Sequence, residues 1–440
     1  MALNFFTYLL LLLFANNLFA NFPELFGVSP STNSKANQFS LNPSDSANNY
    51  YAPSLTAFSP KFTFGASSFY TKSNFEPINN VTIRNTVTKG ESLTGGVDTH
   101  YKSTIINTFH ASIPIPLTIK HLNQLNLGFI VAAPKDYLAD ANSGDPFLPE
   151  YVMYRSRYQR PYFQANLSYL ILPYLAASAG VYSGFQVSAD LNTRASMNGT
   201  AYGSSGQVHS IIKPSVAFNT SLAFKLNSFA TFILYQQEMK NQIRSRAAGE
   251  TADPRLPFDI IVSSMLYYDP AILRFGIGYT YSIVTLQGMV ERQWWENYST
   301  PVMRIVKQSG LLQSSDNYEK VQTQNIFVPK LALSIQPIEK LELSGGYAKR
   351  PSPLKRNFSG AGNSLDSDVT IYSAGASYQI ALFDLNFEIG GSYQLQKLDS
   401  FKVTKTSGEE NGATGSKLGS PGYNVGGDIK IYSIGLRMEI

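Results

Sequence analysis

Residues 382–395 read LFDLNFEIGGSYQL, with Phe383, Leu385, Phe387, Ile389, Tyr393 and Leu395 at alternate positions and Asp384, Asn386, Glu388, Ser392 and Gln394 between them. Side chains of a strand point to opposite faces with period two, so this stretch has one oily face and one wet face. The medium that the oily face meets decides the fold class.

Soluble domains usually carry Asp, Glu, Lys and Arg at about a quarter of their residues. Here they reach only 15%, while aromatics reach 13%, with 27 Tyr and 28 Phe. Mean hydropathy is nevertheless only -0.11. That is too few charges for an ordinary soluble surface and too little continuous apolar sequence for a helical membrane protein. A transmembrane antiparallel β-barrel satisfies both, because its apolar face meets lipid and its polar face lines the lumen. The oily side of 382–395 is therefore expected to look outward.

The N-terminus, MALNFFTYLLLLLFANNLFA, has an apolar core from Phe5 to Phe14 and a small residue at Ala20, which reads as an export signal over 1–20. An uncleaved anchor is the alternative. There is no Cys, so neither disulfides nor a cysteine-linked lipid anchor enters. The net charge of +5 is scattered, without the concentrated basic face that a nucleic-acid partner needs.

Residues 21–57 are rich in Asn, Ser and Pro and show no period; from 58 to 440 alternation recurs in about fourteen segments. Among them are 160–171, 174–190, 209–226, 228–241, 255–268, 271–292 and 383–398. Tight links are expected at Ile171 to Tyr174, Leu226 to Ser228, Asp269 to Pro270, Pro337 to Lys340 and Ala381 to Phe383. Long links are expected at 72–97, 134–159, 191–208, 242–254, 293–321, 351–367 and 399–422. Short turns at one end and long loops at the other are the rhythm of a bacterial barrel. The run 165–185 is apolar enough to suggest a helix, but Pro173 divides it into two strands.

Several stretches resemble one family, the FadL-type long-chain fatty acid and hydrocarbon transporters of the Gram-negative outer membrane. LALSIQPIEKLELSGGYAKRPSPLK (331–355) is similar to the family's strand, turn and strand ending in G-Y-A before a Ser-Pro loop. DVTIYSAGASYQIALFDLNFEIGGSYQ (368–394) resembles the following hairpin, and GGDIKIYSIGLRMEI the closing strand. LGFIVAAPKDY (127–137) resembles the third strand, QANLSYLILPYLAASAGV the next hairpin, and WWENYSTP (294–301) the Trp-rich end of a later strand. SANNYYAPSLTAFSP (46–60) is similar to the stretch that leads from plug to barrel, with Ala52, Pro53 and Ser54 where the family has Asn, Pro and Ala.

The resemblance implies a fourteen-stranded barrel, an N-terminal hatch over 21–57 inside the lumen, and passive uptake of long-chain fatty acids or other hydrophobic compounds. It further implies that substrate leaves sideways through a gap made by an inward kink in the third strand, near Leu127 and Gly128, with Ala52, Pro53 and Ser54 as the hatch side of that gate. Expected partners are a hydrophobic small molecule, outer-membrane lipid and lipopolysaccharide; a monomer without cofactor or metal is expected.

Candidate substrate contacts are Phe22, Leu25 and Phe26 of the hatch, Phe129 of the third strand, and Arg155, Arg157 and Arg160, whose charge suits a carboxylate or outer-leaflet phosphate. Lys349, Arg350, Lys355 and Arg356 form a second basic cluster with the same two readings. Trp294, Trp295 and Tyr298 read as aromatic girdle, with substrate stacking as the alternative. His100, His110, His121 and His209 lack metal-ligand spacing, and His110 with a nearby Ser is the sharpest enzymatic reading, without a G-x-S-x-G stretch to support it. A porin for polar solutes and a structural or adhesive barrel are the competing functions; an N-terminal plug favours neither.

Overall fold

A computed structural model describes residues 22–84, 92–97, 103–115, 124–135, 150–155, 160–198, 201–250, 258–310, 321–355, 364–382, 385–404 and 422–440. The chain begins with α1 (Phe22–Phe26), α2 (Pro30–Asn33), α3 (Asn48–Tyr51) and a 3₁₀ turn (Pro53–Phe58). Strands follow: β1 (Thr63–Phe75), β2 (Ile78–Arg84), β3 (Ser92–Val97), β4 (Thr104–Ile115) and β5 (Leu125–Pro134). After the short α4 (Val152–Arg155) come β6 (Tyr162–Leu172), β7 (Leu175–Asn198), β8 (Ala201–Leu226), β9 (Phe229–Gln236), β10 (Met239–Glu250) and β11 (Phe258–Asp269). The remainder are β12 (Ala271–Tyr281), β13 (Val284–Trp294), β14 (Arg304–Gly310), β15 (Ile326–Ile338), β16 (Leu341–Arg350), β17 (Val369–Leu382), β18 (Leu385–Thr404) and β19 (Gly422–Glu439).

Fourteen strands close a ring in which every neighbour is antiparallel. Starting from β1, the order is β4, β5, β6, β7, β8, β9, β12, β13, β15, β16, β17, β18 and β19, and β19 pairs back onto β1. Closure removes the unpaired edges that a membrane interior cannot tolerate. Among the described residues no helix is long and apolar enough to cross a membrane.

The opening stretch has the predicted polarity over 389–395, while Asn386 is exposed near the turn and Phe383 and Asp384 lie outside the described residues. Ile389 is 46% exposed and Tyr393 is exposed, while Gln394 is fully buried. The same inversion runs round the ring: Leu222, Ile277, Leu333 and Leu436 are exposed on the outside, whereas Asn219, Ser221, Gln287 and Ser334 are buried inside. Two belts of rings edge this apolar band, as they do at the two interfaces of a bilayer. Near the tight turns lie Tyr174, Phe224 and Phe229, and towards the long-loop end lie Tyr70, Tyr432 and Tyr393, Tyr347 and Tyr372, and Phe218 and Tyr235.

The strand count agrees with expectation through two compensating differences. Residues 271–292 are not one strand but the hairpin β12–β13, turning at Ser282, a non-glycine residue at φ 52°. Residues 258–269 are not a ring strand at all: β11 pairs with β10 and β14 beyond the ring, and the link at Asp269 joins it to β12 rather than making a tight turn. The signal for the hairpin was a change of parity. Exposed apolar residues fall on odd numbers through Tyr281 and Ile283, then on even numbers at Leu286 and Val290.

The link at 191–208 is likewise strand rather than loop. β7 and β8 pair without interruption from Leu175↔Phe224 to Asn198↔Ala201, and about 9–11 residues suffice to cross a bilayer. Their outer halves therefore stand clear of the ring, where β10 pairs in parallel with the other edge of β7 from Ile243↔Val187 onward. The result beyond the ring is a sheet in the order β8, β7, β10, β11, β14. Within the expected link 72–97, β2 and β3 form a separate hairpin.

Candidate functional site

The N-terminal segment is bonded to strands on several sides of the ring, chiefly through their inward side chains. Against β17 and β18, Ser373 Oγ accepts from the Ala36 amide (2.9 Å), and Gln394 and Gln396 donate to the carbonyls of Asn33 (3.1 Å) and Leu25 (2.6 Å). Against β4, Thr108 donates to the Val28 carbonyl (2.6 Å). On the side of β6 to β8, Ser168 donates to the Pro53 carbonyl (2.9 Å) and Ser221 Oγ accepts from the Ser54 amide (3.1 Å). This is why the wet faces of the strands are rich in Ser, Asn and Gln: they satisfy the backbone of a segment with little regular structure of its own.

Charged residues complete the filling. Arg274 of β12 and Lys330 of β15 each reach the same Glu291 oxygen of β13 at 2.9 Å. Lys330 also donates to the Asn37 carbonyl (2.9 Å), and Arg274 to the Tyr50 hydroxyl (3.2 Å), with its guanidinium 4.7 Å from that ring. Gln293 joins Glu291 to Glu24 of α1. A second group ties Arg437 to Glu388 (2.6 Å) and Asp45 (3.5 Å), and Lys35 to Glu342 (2.8 Å). His110 lies beside it, 2.7 Å from Ser46 Oγ and fully inside the wall.

At the outer end of the lumen the filling becomes apolar. Tyr268, Trp295 and Tyr298 meet pairwise with ring centroids 5.5–5.7 Å apart. With Met153, Met265 and Leu266 they line a small pocket that is partly open to the outside. Trp295 is held from below, its indole donating to Gln293 (3.1 Å). Burial, with the Glu238 carboxylate beside it, raises the Tyr268 phenol, so its hydroxyl stays protonated and donates to Glu238. Across the mouth, Tyr151 stacks on Phe75 (4.4 Å) and donates to the Gly426 carbonyl (3.1 Å), its phenol pushed up to about 12 by burial.

The sequence-predicted residues are only partly gathered here. Leu25 and Phe26 are buried inside the ring, whereas the Phe22 side chain lies outside the description. Phe129 has outward parity and packs beside Phe163 (6.4 Å), because the inward positions of β5 are Asn126, Gly128, Ile130 and Ala132. Arg160 is buried, paired with Asp269 and lying over the Tyr267 ring (4.8 Å), so its charge is already neutralised. Arg157 and the Arg155 side chain lie outside the described residues. Arg350 leaves its expected surface cluster and turns inward to Asp366 (3.1 Å) and Tyr154 (2.7 Å); Lys349 and Lys355 stay exposed, and Arg356 is outside the description. Trp294 remains outside near Arg292, but Trp295 and Tyr298 belong to the pocket rather than to a girdle.

The expected gap in the third ring strand is absent. β5 pairs without a register shift with β4, from Ile106↔Pro134 to Ile115↔Leu125, and with β6, from Leu125↔Tyr169 to Ala132↔Tyr162. Leu127 takes an outward position and Gly128 no bulge. Gly128 serves instead as the place where Asn49 lies against the wall, donating to the Ala111 carbonyl and Ser112 Oγ (2.9 Å each). Gln164 and Asn166 donate to the Asn49 carbonyl (2.8 and 2.7 Å). Asn49, which sequence reasoning passed over, thus sits where Ala52, Pro53 and Ser54 were expected; those three are buried against β6 to β8.

No family model matches the chain. Alkane uptake protein A of Marinobacter nauticus is 22% identical over 216 residues, 47% of this chain and 45% of that protein, so the matched region spans less than half of the relative's length. Among solved structures, a Pseudomonas aeruginosa FadL homologue superposes with TM-score 0.59 at 12% identity, covering 96% of this chain and 98% of that one. A deletion mutant of the TodX monoaromatic hydrocarbon channel gives 0.52 at 11% identity, covering 94% and 99%. Fold and strand number agree with these solved structures: the chain folds as a closed fourteen-stranded β-barrel of the architecture seen in the FadL homologue.

Proposed function

We propose that the protein is a passive outer-membrane channel of a Gram-negative bacterium for hydrophobic small molecules, with the N-terminal segment acting as its hatch. The observation that carries this reading is the pocket of Tyr268, Trp295, Tyr298 and Met265 at the outer mouth, directly above a lumen filled by residues 22–58. A site lined by rings and thioethers gains affinity from buried apolar surface, about 25 cal/mol per Å². The names of the relatives, an alkane uptake protein and a monoaromatic hydrocarbon channel, support the same class.

Neutral hydrocarbons suit the pocket better than long-chain fatty acids, since Arg160 is committed to Asp269. A polar-solute porin is disfavoured because the lumen is occupied by protein. Release sideways into the membrane fits an apolar cargo, which avoids rehydration of about 0.8 kcal/mol per CH₂. The closed ladder at β5 means that such release requires the Asn49 contacts to open first.

The test is solute entry into liposomes holding the purified protein. Toluene or hexadecane uptake above empty liposomes, with no leak of glucose, is the expected result. Glucose entry without hydrocarbon entry assigns the barrel to the porin class.

A further inference from the structure

The sheet that stands beyond the ring has two unlike faces. β7 and β8 run through the wall and past it without a register shift, so parity carries the lipid-facing side outward unchanged. Along β8 that side presents Leu222, Phe218, Val216 and Ile212; the last two are 64% and 66% exposed. Phe218 pairs with Tyr235 in the outer aromatic belt, so Val216 and Ile212 stand beyond the belt, where a bilayer no longer covers them. Across the sheet, Ile212 is opposite Val187, and Val187 is opposite Ile243. Further along, Leu191 is opposite Ala247, which is opposite Ile260, and Val262 is opposite Ser245. Val187, Leu191, Ile243, Ile260 and Val262 are half-buried.

No charged residue lies on this face over 187–191, 210–216, 243–247 or 260–264. The cations all take the other parity: Lys213, Arg244 and Arg246 are exposed there, with Arg246 bound by Asp259 (2.8 and 2.9 Å). Water surrounds a sheet outside a membrane, and a largely aliphatic face that joins the acyl-contacting wall without a charged residue between them has no structural purpose in water.

We propose that this outer face is a landing surface for neutral hydrocarbon, on which molecules adsorb outside the bilayer and pass down β7 and β8 to the membrane along the outside of the barrel. An uncharged aliphatic face takes an uncharged ligand, and its continuity with the lipid-facing wall supplies the path. The proposal rests on hydrophobic uptake as the protein's function but uses a different surface from the lumen pocket.

The chain has no Cys, so Ile212→Cys and Lys213→Cys each place a single polarity-sensitive fluorophore, one on either face, in protein held in nanodiscs. Adding n-hexadecane is expected to give a saturable blue shift at 212 and none at 213. The shift at 212 is expected to fall at least fivefold when Ile243→Ser and Val262→Ser are added, with heat-modifiable mobility on gels confirming the barrel. Equal shifts at both positions, or none at 212, overturn the proposal. A shift at 212 that depends on protein concentration without hexadecane also overturns it, and assigns the face to a second copy of the chain. Liposome uptake by wild type separates the two readings: the 212 shift without any hydrocarbon uptake defeats the channel function alone, and uptake without the shift defeats the landing surface alone.

Discussion

Asn49 and Gly128 fit each other so closely that a Cβ on the glycine stands 1.8 Å from Asn49 Oδ1. The contact joins the N-terminal segment to the third ring strand at the one place where the family resemblance puts an opening. It makes that part of the wall a joint between two pieces, held by the bonds of the Asn49 amide group to Ala111 and Ser112 and of Gln164 and Asn166 to the Asn49 carbonyl.

Gly128→Ala is expected to push Asn49 off the wall and weaken the segment's attachment by about 1–3 kcal/mol, the usual cost of overpacking. Limited proteolysis within 22–58 reads the loss. Asn49→Gly in the same chain restores space and should recover part of the protection; an equally protected single variant shows that the segment is held elsewhere.

Glu291 is the shared anion of Arg274 and Lys330, all three buried. Glu291→Gln leaves two cations without a full counter-charge, a kind of change that costs roughly 3–5 kcal/mol. Gel mobility after stepwise heating should show unfolding at lower temperature than wild type. Surface Lys349→Gln, made as a control, should show no change.

The two tryptophans lie side by side in sequence, but only Trp295 lines the pocket. Trp294→Phe leaves Trp295 as the sole reporter, and toluene or hexadecane should then alter its fluorescence. Adding Tyr268→Ala removes a ring from the pocket and should weaken binding about tenfold, the equivalent of about 1.4 kcal/mol. Unchanged affinity places the ligand elsewhere.

Arg160 is silenced by Asp269. Asp269→Asn keeps the side-chain volume while freeing the guanidinium, so laurate should bind about tenfold more tightly and hexadecane with unchanged affinity. Tight laurate binding by the unaltered protein, lost in Arg160→Met, contradicts the preference for neutral cargo.

What the sequence made legible was whatever follows from period two. The 382–395 alternation, with the scarcity of charge, was enough to turn the oily faces outward, and Ile389 and Gln394 lie accordingly. Turns were harder. Tyr281-Ser282-Ile283-Val284 has none of the Gly, Asn or Asp residues that normally announce a reversal, so the β12–β13 hairpin read as one strand. The long β7–β8 hairpin contains polar stretches that resemble a loop, and only pairing with a neighbour makes them strand. Least legible were contacts between distant positions: Arg160 read as an available cation because its partner, Asp269, is 109 residues away, and Asn49 was passed over because Gly128 meets it only in the closed ring.

The claim beneath all of this is that the ring's apolar face meets hydrocarbon. In the Cys-free chain, nitroxide labels at Leu222, Phe275 and Ile389, one position at a time, test it in lipid vesicles. Collision with oxygen, which concentrates in the bilayer, is expected to exceed collision with a water-soluble nickel chelate at all three, while a label at Gln287 meets neither freely. Labels at Leu222, Phe275 and Ile389 shielded from both reagents, as in the core of a water-soluble body, contradict the account.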